Sequence, residues 1–226
     1  MRNTVFLSLL LLFSIYKTQA EIGVLIGARA GMNMAHLRKY SPPANYKKAM
    51  LLGSDMAAQI RIDFNKYIGL QTEIEFSQKG QAWKMKQDSA KYYAKTVINY
   101  IQFPILAAAH FGNEKYRGVI LLGPYISYWS GGYTQSSTHI DNTTQSERDA
   151  KHTYTTDDNR LDVGIVSGIG ADFKLGNGWL EIAIRHNAGF LPTVKKSSAL
   201  PKLYNCNMSF SLGYYFDVIV NKKIKE

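Results

Sequence analysis

His36, His110, His139, His152 and His186 are the imidazoles of the chain, and three of them, His36, His139 and His152, fall in polar stretches that also carry Ser41, Asp141 and Asp157. From these groups a surface hydrolase or acyltransferase would have to be assembled, or a metal bound. Both chemistries need fixed spacing: a nucleophile on a strained elbow, or two ligands one helical turn apart. No GxSxG, HExxH or glycine-rich phosphate loop accompanies the histidines. The sequence therefore reads as a non-enzyme without a cofactor.

A second set of polar groups is spaced regularly. Arg29, Asp55, Gln59, Arg61, Gln71, Glu73, Glu75, Asp172, Glu181 and Arg185 each stand between large apolar residues in segments of strict alternation. Over 50–80, Leu52, Met56, Ile60, Ile62 and Phe64, then Ile68, Leu70, Ile74 and Phe76, occupy one parity. A period of two is the pattern of strands.

The same rule marks eight segments: 22–33, the pair in 50–80, 95–109, 117–129, 161–173, 180–187 and 203–216. Pro104 weakens the fourth, because proline costs a ladder donor and favours an edge or bulge. In that segment Val97, Ile101, Phe103 and Ile105 are read as one face. The fifth segment is apolar on both parities in its first half, so its orientation stays open.

Parity also sets register. Joining the apolar faces across the second and third segments needs Phe64 opposite Ile68; across the sixth and seventh it needs Phe173 opposite Leu180, with Gly176-Asn177 as a glycine-first two-residue turn of type II′. Connections alternate between short ones near residues 65–67, 111–116 and 176–177 and long polar ones, the longest spanning 130–160. The predicted fold is an eight-stranded antiparallel transmembrane up-and-down β-barrel with short periplasmic turns and long extracellular loops.

A soluble barrel would turn its apolar side inward. Here the polar face is rich in glycine and mixes both charges, as a packed lumen would. Aromatic residues gather at strand ends: Phe64, Phe173, Tyr214 and Phe216 with Tyr67, Tyr116 and Trp179 by the short turns, and Tyr204 with Tyr100, Tyr128 and Trp129 toward the long loops. Such rings suit the two membrane interfaces. Within the lumen, Arg61 is expected opposite Gln71 and diagonal to Glu73, Gln59 opposite Glu73, and Asp172 opposite Glu181 with Lys174 diagonal. Charges withdrawn from water must be paired, so these residues are read as a network that fills the barrel.

The N-terminus has the form of a secretory signal peptide: Arg2, an apolar core over 5–15, and Thr18-Gln19-Ala20 before Glu21. The core is too short for a spanning helix, so residues 1–20 are expected to be removed and 21–226 to form the barrel, with a basic tail at 217–226. The sole cysteine, Cys206, permits neither lipidation at the leader nor an internal disulfide. Formal charge is +10, and removing the two cations Arg2 and Lys17 leaves +8. The cations, among them Lys47, Lys79, Lys84, Lys86 and Lys91, are assigned to loops and the tail. They are not interleaved with aromatics in one compact nucleic-acid motif; outer-membrane lipid and lipopolysaccharide are the partners such charge suits.

The segments 27–33 (GARAGMN), 69–80 (GLQTEIEFSQKG), 99–104 (NYIQFP), 123–125 (GPY), 164–173 and 212–216 (LGYYF) resemble the PorT-like outer-membrane β-barrel family of Bacteroidetes. That resemblance implies an outer-membrane barrel of a Gram-negative bacterium, and an accessory or structural part in an envelope or type IX-like protein-secretion assembly with other envelope proteins. The alternative is a barrel that binds a small ligand or forms a narrow pore through its polar lumen. One expectation can be measured directly: N-terminal sequencing of the protein from membranes should begin at Glu21, and a sequence beginning at or near Met1 would show that the leader stays attached.

Overall fold

The computed structural model describes residues 22–39, 41–42, 45–87, 90–140, 143–151, 154–195 and 202–220. The expected leader, Asp141, His152 and most of the basic tail lie outside them. Ten strands run β1 (Gly23–Arg38), β2 (Tyr46–Ala49), β3 (Leu51–Asp63), β4 (Ile68–Gln87), β5 (Ala90–Gly112), β6 (Tyr116–Ile140), β7 (Thr143–Lys151), β8 (Leu161–Leu175), β9 (Gly178–Pro192) and β10 (Tyr204–Val220). Eight of them close a ring in the order β4-β3-β1-β10-β9-β8-β6-β5, with β5 returning to β4. Every ladder in the ring is antiparallel.

Closure leaves the ring with no free edge, and that is why the fold can sit in lipid: strand pairing runs all the way round and occupies the backbone donors and acceptors that an open edge would expose. The outward parity is apolar. Ile26, Met32, Ile60, Ile74, Ile105, Leu122, Ile169, Ile184 and Phe210 are all exposed on the outer wall. In the fifth predicted segment, Ile120, Leu122, Ile126 and Tyr128 face out, while Val119, Leu121 and Tyr125 are buried. That segment is apolar on both parities because one face meets lipid and the other packs with Leu106, Ala108 and Val166 of the neighbouring strands β5 and β8.

The short turns follow from local chemistry. The Asn65 Oδ1 accepts hydrogen bonds from the Tyr67 and Ile68 amides at 2.8 and 2.9 Å, and Asn113 does the same for Lys115 and Tyr116 at 2.9 and 3.0 Å. The Phe64 amide bonds the Ile68 carbonyl, and Arg61 pairs with Gln71 in the ladder. Phe173 pairs with Leu180 around a two-residue turn in which Gly176 has φ of +59°.

Three features depart from the parity reading. The ladder between β5 and β6 shifts at Asn99/Tyr100, where Ser130 of β6 is passed over, and beyond it Val97 is buried against Ala35, Leu51 and Ala82, off the face shared by Phe103 and Ile105. Pro104 is on no edge; it sits where the β4–β5 ladder is interrupted between Thr72↔Ile105 and Glu75↔Gln102. Most of all, two expected long connections are largely strand. β4 and β5 remain paired up to Gln87↔Ala90, and β6 continues to Ile140 before pairing with β7.

β4, β5 and β6 are 20, 23 and 25 residues long, whereas crossing a membrane takes roughly 9–11. Their outer halves, flanked by β2 on β4 and β7 on β6, form a sheet that stands beyond the barrel on the side opposite the short turns. The wall and the turns make different demands, which can be separated by mutation. Leu122→Arg, at mid-height of the lipid face, should cost about 2–4 kcal/mol in urea unfolding from lipid vesicles, while Lys115→Gln in a short turn should stay within about 0.5 kcal/mol of the parent.

Candidate functional site

All ten polar residues singled out by alternation project into the lumen, none more than 3% exposed. They are joined, together with residues outside that set, in one chain of alternating charge. It begins near the short turns, where Asp63 accepts from Arg117 Nη1 at 2.9 Å and lies 3.2 Å from His110 Nε2. Arg117 Nε donates to Asp172 at 3.0 Å, and Asp172 accepts from Arg61 Nη1 at 2.7 Å. Arg61 also pairs with Glu181, donates to Gln71 at 2.9 Å, and stacks over the Tyr215 ring at 4.3 Å.

From Glu181 the chain climbs. Arg185 bridges Glu181 at 3.1 Å and Glu73 at 2.6 Å; Glu73 accepts from Arg29 Nη2 at 2.8 Å, and Arg29 reaches Asp55 and, at 3.0 Å, Glu75. Gln102 donates to Glu75 at 3.1 Å and accepts from Lys79 Nζ at 2.8 Å, and Lys79 ends on Asp162 at 3.3 Å. Asp162 also accepts from Tyr125 and Asn205.

Two expected neighbours differ. Arg61 does not bond its diagonal neighbour Glu73 but spans the lumen to Asp172 and Glu181, which face one another as adjacent like charges. Lys174 lies outside the lumen, paired with Asp217.

Lys79, expected in a loop, is 1% exposed inside the barrel, with its ammonium 4.5 Å from the Tyr125 ring centroid and 5.0 Å from that of Tyr100. Its parity, shared with Glu73, Glu75 and Ser77, is the signal that could have placed it. Arg117 and Asp162 carry a weaker one, standing at the ends of their predicted segments. The rings expected at the interfaces also divide. Phe64 and Phe216 are exposed on the outer wall; Phe173 packs edge-on against Tyr116, and Tyr214 against Phe216. At the other end Tyr204 lies beneath Arg38 and Lys39. Trp179, Trp129 and Tyr100 point inward instead, where Trp179 stacks under Arg117 at 4.0 Å and Trp129 packs with Tyr100 and Ile98.

Glycines explain how such long side chains fit. A Cβ on Gly213 would come 3.0 Å from Arg29 Cβ and 3.1 Å from Gln59 Nε2, and one on Gly168 would come 3.0 Å from Arg185 Cγ. The glycine-rich lumen face is the complement of its arginines. Toward the outer end, Asn33 Oδ1, Asn187 Oδ1, the Asn207 amide, Ser209 Oγ and Ser211 Oγ have no protein partner, so this strip along β1, β9 and β10 is where internal water is needed.

Two histidines meet at one thiol: His36 stands opposite Cys206 in the β1–β10 ladder, and His186 Nε2 lies 3.3 Å from Cys206 Sγ. His110 is in the lumen beside Asp63, and His139 is on the outer sheet. Among the described residues no group of ligating side chains could hold a metal ion.

A closed antiparallel ring with an apolar exterior and an ion-paired interior defines an outer-membrane β-barrel protein. The comparison with known families is specific: residues 17–195 match the family described as outer membrane protein beta-barrel domain. The chain belongs to that family. Solved structures similar to it include Neisserial surface protein A, 12% identical with a TM-score of 0.42, covering 86% of this chain and 96% of that one. OprG from Pseudomonas aeruginosa is 14% identical with a TM-score of 0.45, covering 88% and 97%. Ail of Yersinia pestis is 15% identical with a TM-score of 0.38, covering 88% and 100%. No curated protein matches the sequence.

The ion-pair chain makes Arg61 a keystone. Arg61→Met leaves Asp172 and Glu181 opposed in a dry site and should cost about 3–5 kcal/mol, read as a lower urea midpoint and loss of heat-modifiable gel mobility. Adding Asp172→Asn should recover at least about 1 kcal/mol of that loss; additive losses would show that the two do not interact.

Proposed function

We propose that the protein is a non-enzymatic, non-conducting accessory component of an envelope or protein-secretion assembly of the type IX-like class, with the barrel as its anchor and the outer sheet as its working part. The carrying observation is the length of β4, β5 and β6, which continue as hydrogen-bonded sheet well beyond what a bilayer needs. A solute pathway would require space at every level of the lumen. Instead Leu25, Trp179 and Tyr215 pack together at the short-turn end, the ion-pair chain occupies the middle, and Ile98, Tyr100 and Trp129 cluster toward the outer end. An eight-stranded barrel has room for its side chains and little else.

Among the described residues the outer sheet ends at β2 and β7, each of which pairs on one side. Such edges offer unpaired backbone groups to a partner strand. The rings of Phe64, Phe173, Tyr214 and Phe216 anchor the barrel at the periplasmic interface, and Tyr204 marks the opposite one.

Gene deletion followed by a census of secreted proteins bearing C-terminal sorting signals tests this role. Retention of those proteins in the periplasm is the expected result, and normal secretion together with an empty mild-detergent co-purification would remove it. In planar bilayers the purified protein should give no discrete conductance steps; reproducible steps would favour the narrow-pore alternative.

A further inference from the structure

Antiparallel partners share a face of the sheet, and on the outer sheet this collects cations. Lys47 stands opposite Lys84, and Lys84 opposite Tyr93. In the next row Lys86 stands opposite Lys91, and Lys91 opposite His139. Adjacent strands are about 4.8 Å apart and alternate residues about 6.7 Å, so these six side chains belong to one small patch. It is concave: these residues, with Tyr92 and Met85 among their neighbours, line a groove of about 600 Å³. That is the size of an organic ligand site rather than of a single ion.

Like charges directly across a ladder destabilise it, and this patch has two such pairs. In the lumen, each arginine of the chain finds a carboxylate. No acidic side chain is among the residues that line the groove. Among the described residues the groove therefore carries a concentration of positive charge with no carboxylate in its lining, and an anionic ligand would complement it. Tyr93 adds a ring on the same face that a sugar can lie against, an apolar body with a polar tip.

Height selects among anions. Lys84 lies eight residues beyond Phe76, at the outer end of the apolar row on β4; at about 3.3 Å per residue and a tilt near 40° the groove is roughly 20 Å farther from the bilayer. Phosphates of the membrane surface are too low to fill it. Sugars extending above the surface are not.

We propose that this groove binds a saccharide bearing phosphate or sulfate groups, its charges held by Lys47, Lys84, Lys86 and Lys91 and a sugar ring held by Tyr93. Such a saccharide has two sources: the sugar region of lipopolysaccharide in the same leaflet, or a free polyanionic glycan reaching the cell surface. The inference goes beyond the assembly role, and the two fail separately, because binding is measured on the purified protein with no partner protein present.

The test uses the full chain in nanodiscs of neutral phosphatidylcholine. Labelled dextran sulfate oligosaccharide should bind at least about tenfold more tightly than neutral dextran, and should weaken as salt rises past the screening range. Lys84→Gln/Lys86→Gln/Lys91→Gln, all at exposed positions, should lose about tenfold or more in affinity while keeping heat-modifiable mobility; Lys115→Gln, at the far end, should bind like the parent. Tyr93→Ala should weaken binding without changing its salt dependence. Purified lipopolysaccharide, before and after dephosphorylation, distinguishes the sources: phosphate-dependent binding assigns the leaflet's own sugars, and dextran sulfate binding alone assigns an external glycan. Equal affinity for neutral dextran, an unaffected triple variant, or equally tight binding of DNA of the same charge would overturn the proposal.

Discussion

The alternating chain of charge from Asp63 to Asp162 is the constraint on which the rest of the barrel depends. Charge inside a cylinder that is itself inside lipid has no recourse to bulk water, and a buried ion that loses its partner costs several kcal/mol. Because each guanidinium and most of the carboxylates serve two partners, the chain can close only when the strands that carry the charges stand in one relative register. A one-residue slip of any strand would carry its arginine or glutamate to the lipid face, where a charge at mid-depth costs about 2–4 kcal/mol. Pairing inside and exclusion outside thus specify the same register twice.

The lumen is divided accordingly. β1, β3, β4 and β9 contribute most of the charges, with glycines opposite the longest side chains, and Arg117 of β6 with Asp162 and Asp172 of β8 complete the pairs. Between those charged positions β5, β6 and β8 contribute the apolar cluster of Leu106, Ala108, Val119, Leu121, Tyr125 and Val166. The charges therefore bridge strands far apart in sequence, as Arg61 bridges to Asp172 and Glu181.

How far this could be read from sequence follows from what each strand borders. Where one face meets lipid and the other meets charge, as in β3, the first part of β4 and β9, alternation is sharp and Arg61, Glu73 and Arg185 are legible as lumen groups. Where both faces are apolar, in β6, parity loses its contrast and only the structure separates Leu121 from Leu122. Val97 shares the parity of Phe103 and Ile105 yet is buried against Ala35, Leu51 and Ala82, in the stretch where the barrel passes into the outer sheet, and nothing in composition marks the change. The outer sheet was invisible for a different reason. Its two faces are both polar, so period two leaves no trace, although Trp83, Tyr92, Tyr93, Thr96, Tyr133 and Thr134 are all side chains that favour strands. For Lys79, charge points to a loop and parity points to the lumen, and parity is the stronger constraint.

The chain also sorts its cations by type. Inside the barrel they are arginines, Arg29, Arg61, Arg117 and Arg185, with Lys79 as the exception, held near two tyrosine rings. In the groove of the outer sheet the permanent cations are lysines. A guanidinium is weakly hydrated, permanently charged and forked, so it can satisfy two carboxylates at once and stay fixed in a dry site. An ammonium is strongly hydrated, mobile on its stem and a point charge, so it gains little from burial and can exchange one anion for another at the surface. The arginines are committed to partners within the chain, and their exposure is nearly nil. The lysines of the groove are committed to none of its lining residues, and they stand on paired strands that hold them together against their own repulsion. A rigid sheet is what such an arrangement requires: a loop would relax the repulsion by moving its lysines apart, whereas cross-strand pairing keeps them in two rows and leaves an external anion as the means of relief.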